Sequence, residues 1–254
     1  MPHPFTRTEI LIGQDGLATL QCKHVLVAGL GGVGSYAAEA LARAGIGCLT
    51  LLDHDTVSPS NINRQLMALQ STIGLPKVDV MAARLRDINP AIQLIIQRDF
   101  LQASAAAAFI TTGNYDFVAD CIDSIACKAA LVAASLRHGT PVISAMGAGN
   151  RLEVSRVKVT TLEQTQGCPL AREMRARLRT LGVTLRYPVV YSDEPRHQPL
   201  PHQPLEDSTP GRPRAVNGTI SYLPPLFGMM LAGVVINTFL TTDQDQGSAK
   251  NDLV

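Results

Sequence analysis

The chain has 254 residues, 46% hydrophobic and 17% charged, with 20 Gly and 16 Pro, which is enough apolar material for one large α/β domain and excludes disorder and fibrous repeats. A formal net charge of +1 excludes a surface uniformly basic for non-specific nucleic-acid binding, while leaving room for a local basic patch. Five cysteines, Cys22, Cys48, Cys121, Cys127 and Cys168, form no C-x-x-C pair, a pattern of reduced thiols and not of a disulfide framework or a four-cysteine zinc site.

The first residues, MPHPFTRTEILIGQDG, carry charges where a signal peptide needs an apolar core, so a cytoplasmic protein with no membrane partner is expected. From His24 onward, short β-branched runs alternate with helical patterns. Strands are expected at 24–29, 48–55, 92–97, 116–122 and 141–147, and helices at 32–44, 77–88, 104–111 and 124–137. That alternation predicts an α/β fold: a doubly wound, mostly parallel, Rossmann-like sheet over residues 1–150.

After residue 150 the pattern changes. A strand is expected within 151–163, a basic amphipathic helix at 168–182 carrying Arg172, Arg175 and Arg179, and a further strand within 183–192. Together they read as a C-terminal mixed extension, 151–240, of the same domain. Residues 193–216 are Pro-rich and without periodicity, the mark of a mobile loop. The run at 223–240 is apolar on nearly every face but interrupted by two Pro and two Gly; a core or dimer helix fits it better than a bilayer span. Residues 241–254 read as a frayed tail. Lys, Arg, Asp and Glu sum to about −1 over 1–150, about +4 over 151–216 and about −2 beyond, so a polyanion would meet the second half of the chain.

The first chemistry-bearing motif is GLGGVGS, Gly29 to Ser35, a G-x-G-x-x-G turn between a strand and a helix. Gly29 permits the tight turn, Gly31 lets backbone approach phosphate and Gly34 lets helix and sheet pack, with the helix N-terminus favouring negative charge. Asp53 ends the second strand, where an acidic residue accepts hydrogen bonds from a ribose. These features alone suit an NAD-dependent oxidoreductase equally well. The segments DHDTVSPSNINRQ and GLPKVDV then add Asn61, Arg64 and Lys77, cations and an amide that a triphosphate needs and a dinucleotide does not. The fourth strand ends in DCID, which is expected to present Asp120 and Asp123 at the same sheet edge, Asp123 as a Mg²⁺ ligand or as the N-cap of the next helix. His54 and His138 read as a loop residue and a helix-end residue. Tyr187, Tyr191 and Tyr222 are candidate base-stacking residues, each expected in the core.

These motifs resemble the adenylation domain of the ubiquitin-activating-enzyme-like family that includes ThiF, HesA and MoeB. FTRTEILIG at 5–13, AGIG at 44–47, INP at 88–90, CPLAR at 168–172 and NGTISYLPP at 217–225 are similar to its branch of tRNA threonylcarbamoyladenosine dehydratases. The resemblance implies ATP and Mg²⁺, with a monovalent cation as a further expectation and no zinc. It implies that Gly29, Gly31, Gly32 and Gly34 cradle ATP, with Asp53, Asp55, Asn61, Arg64, Gln65, Lys77 and Asp123 around it. Arg64, Lys77 and Asp123 would act in catalysis, and Arg7 would reach the partner's ATP site in a homodimer. The implied reaction activates the threonyl carboxylate of threonylcarbamoyladenosine at tRNA position 37 and closes a ring with loss of water. Two other readings stay open: adenylation of a ubiquitin-like sulfur carrier, and a sulfur-relay adaptor serving a cysteine desulfurase. Cys168 would be the acceptor thiol in such chemistry; at the start of a helix it reads first as structural.

Overall fold

The computed structural model describes residues 3–198, 200 and 217–251, with side chains described as far as Thr241. The central strands are apolar runs buried on both faces, as parallel strands covered by helices must be: β1 (His24–Ala28), β2 (Cys48–Leu52), β4 (Phe117–Asp120) and β5 (Val142–Ala145), with β3 (Gln93–Gln97) more exposed at the edge. The sheet order is β3-β2-β1-β4-β5-β7-β6. The first five strands pair in parallel, and β7 (Pro188–Ser192) joins β5 in parallel. Only β6 (Val157–Thr161) is antiparallel, paired to β7 from Val157 opposite Ser192 to Thr161 opposite Pro188. The order reverses between β1 and β4, which opens a crevice at the carboxyl ends of those strands.

Helices α2 (Gly34–Ala44) and α3 (Lys77–Ile88) belong to one core layer, and α4 (Ala106–Gly113), α5 (Ile125–His138) and α6 (Pro169–Thr180) to the other. The expected 193–216 loop lies largely outside the described residues. The helix α1 (Thr6–Gln21) has no counterpart in the sequence reading; it is bent at Gly13, whose φ of +74° breaks the helical backbone, and it buries only Leu17 and Leu20.

Helix α7 (Leu223–Asn251) runs through the segment expected to be a frayed tail, its backbone staying helical to Asn251. Its stretch Leu223–Thr241 is long and apolar enough to cross a membrane, with a mean hydropathy of 1.7. Leu223, Phe227, Leu231 and Val235, four residues apart, are nevertheless fully buried in the first core layer, as one stripe of a packed helix should be. Pro224 and Pro225 fall in the first turn, where a missing N–H costs nothing. Gly228 brings α7 onto α2 backbone to backbone: a Cβ there would stand 2.3 Å from the Val33 carbonyl oxygen.

Candidate functional site

The glycine turn is held from two sides. Gly29 has φ +88°, a left-handed backbone that favours glycine; its N–H donates to the Leu52 carbonyl at 2.7 Å, and a Cβ on it would stand 2.8 Å from the Cys121 carbonyl oxygen. The β4–α5 loop therefore closes directly on the turn. The Ser35 hydroxyl donates back to the Gly31 carbonyl at 2.7 Å and accepts from the Leu66 N–H at 3.3 Å. The turn ends at the first residue of α2, so the free N–H groups of that helix face the crevice.

Asp53 braces this turn from β2. Its Oδ2 accepts from the Leu30 N–H at 2.6 Å and its Oδ1 from the Asp55 N–H at 2.9 Å. Burial pushes its carboxyl above the ordinary range, against the pull of Lys77. Lys77 opens α3, is almost fully buried, and sets its Nζ 2.8 Å from Asp55 Oδ2. A lysine this enclosed needs an anion, and half-exposed Asp55 is one that an incoming phosphate can share or replace. Ligand atoms of Asp53, His54 and Asp55 lie within 4.8 Å of one another, and the His54 ring stands edge-on to Phe100 at 4.9 Å.

The segment after β2 crosses over the turn. A Cβ on Gly32 would meet the Cγ of Arg64 at 3.1 Å and the Cβ of Pro224 at 3.0 Å, so the stem of Arg64 lies against the cradle. Its Nη1 donates to the Ser60 carbonyl and to Asn63 Oδ1, both at 2.9 Å. Gln65 is buried with Oε1 lacking a hydrogen-bond partner, and its Nε2 is the nearest group to a Cβ on Gly31, at 3.9 Å. A buried orphan acceptor beside an open glycine turn calls for a donor from a ligand or water. Asn61 is also buried, but its Oδ1 accepts the Ser58 N–H at 3.1 Å and caps its own turn.

The carboxylates of DCID part company. Asp123 is exposed on the β4–α5 loop, two residues from the Cys121 that touches the cradle; Ser124, not Asp123, is the helix N-cap. Asp120, expected beside it, turns instead into the core, where Oδ2 lies 2.9 Å from Lys128 Nζ with neither side chain exposed. Burial pushes the Asp120 carboxyl up, and the Ser144 hydroxyl donates to it at 2.6 Å. Lys128 also donates to the Ile122 carbonyl at 3.0 Å. The cation thus ties down the loop that carries Asp123. Lys128 belongs to no sequence motif; the available signal is a cation in the first turn of an Ala-rich helix whose other basic residues, Arg137 and His138, lie in its last turn.

Arg7 is exposed on α1 and, among the described residues, forms no ion pair with these groups. The basic helix is partly absorbed by the fold: Arg175 donates to Thr165, Arg177 pairs with Glu173 at 3.0 Å, and Arg172 and Arg179 are exposed. Burial pushes the Cys121 thiol up to about 12, which keeps it protonated and unreactive. Cys168 is buried as the N-cap of α6. Tyr187 and Tyr191 lie in the core as expected, whereas Tyr222 is 44% exposed.

The arrangement is a glycine turn at a helix N-terminus with the Arg64 stem laid on it and a buried lysine close by. Comparison with known proteins agrees. A model of the ThiF family matches residues 5–253. The tRNA threonylcarbamoyladenosine dehydratase of Bacillus subtilis is 43% identical over 194 residues, 76% of either chain. The E. coli tRNA N6-threonylcarbamoyladenosine dehydratase, TcdA, solved with AMP, superposes with a TM-score of 0.86 at 34% identity, covering 95% of this chain and 96% of that one; its ATP complex superposes at 0.85. Fold, motifs and relatives converge on one assignment, and the chain belongs to the ThiF family.

Proposed function

We propose that the protein is an ATP-dependent tRNA threonylcarbamoyladenosine dehydratase that activates the threonyl carboxylate at tRNA position 37 and closes it into a ring. The observation that carries this reading is the contact between the Arg64 stem and Gly32 in a cradle sealed by Cys121, in a chain similar over almost its whole length to a dehydratase solved with AMP and with ATP.

A carboxylate is a poor acyl donor because its charge is delocalised and its oxygen leaves badly; joining it to AMP removes both faults. Gly29, Gly31, Gly32 and Gly34 receive the phosphates against the α2 N-terminus, Asn61 joins Arg64 and Lys77 at those phosphates, and Asp53 holds the ribose with Asp55 and Gln65 nearby. The carboxylate oxygen attacks the α-phosphorus and pyrophosphate leaves, its charge met by Arg64 and Lys77. The carbamoyl group of the same side chain then attacks the activated carbonyl, and AMP leaves. Because the nucleophile is intramolecular, high effective molarity replaces a protein nucleophile, in keeping with the enclosed Cys121 and Cys168. Asp123, on an exposed loop against the cradle, suits Mg²⁺, which takes one or two carboxylates together with phosphates; when bound, the ion neutralises phosphate charge. A monovalent cation near the site belongs to the same proposal.

Ile10 and Leu11 stand 80% and 85% exposed on α1, next to Arg7, and support a homodimer in which Arg7 reaches the partner's site. Five free thiols support a cytoplasmic setting. The test is release of AMP and pyrophosphate from Mg-ATP with threonylcarbamoyladenosine-bearing tRNA against unmodified tRNA. Release that follows the modification, with a product lighter by one water, is expected. Release independent of it would point instead to a sulfur-carrier protein as substrate.

A further inference from the structure

Residues 217–222 return to the site as a strap fastened at several points. The Asn150 N–H donates to the Gly218 carbonyl at 2.8 Å, and Asn150 Nδ2 to Asn217 Oδ1 at 3.1 Å. Asn63 Nδ2 donates to the Thr219 carbonyl at 3.0 Å, the same Asn63 whose Oδ1 holds Arg64. The Tyr222 hydroxyl donates to the Leu152 carbonyl at 2.9 Å. Two residues on, Pro224 lies against Gly32. A chain of two residues spans at most about 7 Å, so Tyr222 stands at the margin of the phosphate cradle.

Its ring differs from the other tyrosines weighed for stacking. Tyr187 and Tyr191 are 3% and 4% exposed, Tyr222 is 44%, and the chain around its anchor is open, with Leu152 and Val154 each about half exposed on either side of exposed Glu153. An aromatic side chain left this open beside a catalytic crevice, with its hydroxyl already tied to backbone, is a pre-ordered flat surface that loses little freedom on binding. In a single-stranded RNA loop the unpaired bases are recognised by stacking on such rings.

We propose that Tyr222 is the stacking platform for the purine that carries the reacting side chain, holding the base outside the cradle while its carboxylate reaches the α-phosphate. The inference rests on the function proposed above and adds the residue that reads the base.

The experiment compares the unaltered protein with Tyr222→Leu, Tyr222→Phe and Tyr222→Trp in AMP release, titrating threonylcarbamoyladenosine-bearing tRNA and, separately, ATP. Loss of the ring is expected to lower kcat/KM for tRNA by about tenfold to a hundredfold with KM for ATP unchanged, and Phe and Trp are expected to restore it to within about threefold. Equal kcat/KM in Tyr222→Leu would overturn the stacking role alone. A fall in Tyr222→Phe as deep as in Tyr222→Leu would assign the effect to the hydroxyl anchor and also overturn it. Absence of turnover dependent on modified tRNA in the unaltered protein would overturn both readings together. Fluorescence anisotropy with the same labelled tRNA gives a second readout, in which Tyr222→Leu weakens binding while its thermal midpoint stays within a few degrees.

Discussion

A Cβ placed on Gly34 would stand 1.7 Å from the carbonyl oxygen of Gly29. That separation is far inside any non-bonded contact, and the obstructing atom is backbone, so no rotamer change relieves it. Gly34→Ala is expected either to yield no folded protein or to cost more than about 4 kcal/mol. Gly31→Ala is its control: the nearest atom would be Gln65 Nε2 at 3.9 Å, and the fold should survive with weakened ATP binding. Thermal unfolding with and without Mg-ATP distinguishes them; a stable Gly34→Ala would mean that α2 starts differently.

The Asp120–Lys128 pair is fully enclosed. Lys128→Met removes the cation but leaves the carboxylate, which is expected to cost roughly 3–5 kcal/mol, whereas adding Asp120→Asn should recover part of that loss. Urea unfolding measures both. A single variant as stable as the unaltered protein would show that the loop carrying Asp123 is held by other contacts.

Arg64 lies on the cradle through its stem and directs its Nη1 to Ser60 and Asn63. Arg64→Ala is expected to lose roughly 3–4 kcal/mol of transition-state stabilisation, read as a fall in AMP formation, with far less change in unfolding free energy. Unaltered turnover would remove Arg64 from the site.

Cys168 is buried at the N-cap of α6, a position where serine is strongly preferred. Cys168→Ser is expected to keep AMP release within about twofold while leaving the thermal midpoint unchanged or higher. Loss of turnover would restore the acceptor-thiol reading.

Asp193, just after β7, is held down to about 2 by Lys158 and Arg156. A carboxyl depressed in the folded state contributes stability that is present above its unfolded value and is lost as pH falls through the folded one. The stability advantage of the unaltered protein over Asp193→Asn should therefore persist at neutral pH, shrink below about 4 and vanish near pH 2. The cluster lies at the protein surface, so the difference is small and molar salt should erase it. Thermal midpoints across pH 2–7 check the sign.

Much of this fold is legible because strands buried on both faces must be written as continuous apolar runs. HVLVA, CLTLL and FVAD are of that kind, and glycine spacing gives away the turn after the first. Helix α1 hides because Gly13 and Gly16 interrupt its pattern and its buried side, Leu17 and Leu20, is only one turn long. The inward turn of Asp120 hides for another reason: a strand packed on both faces offers no polar alternation to say which way a residue points. Asn61 and Asn63 look interchangeable as letters, yet Asn61 caps its own turn while Asn63 joins Arg64 to Thr219. Only the third dimension distinguishes a residue that closes its own backbone from one that spans 156 positions of sequence.

Asn150, at φ +59°, accepts the His197 N–H on its carbonyl and donates its own N–H to Gly218, both at 2.8 Å. His197 and Gly218, well apart in sequence, are therefore both fastened to a single residue. For a segment whose ends are already joined, closure entropy grows only slowly with length. Relatives can gain or lose residues between those two points at little thermodynamic cost, without displacing either β7 or the start of α7. Length and composition between His197 and Gly218 are thus free to diverge while both fastenings to Asn150 are kept.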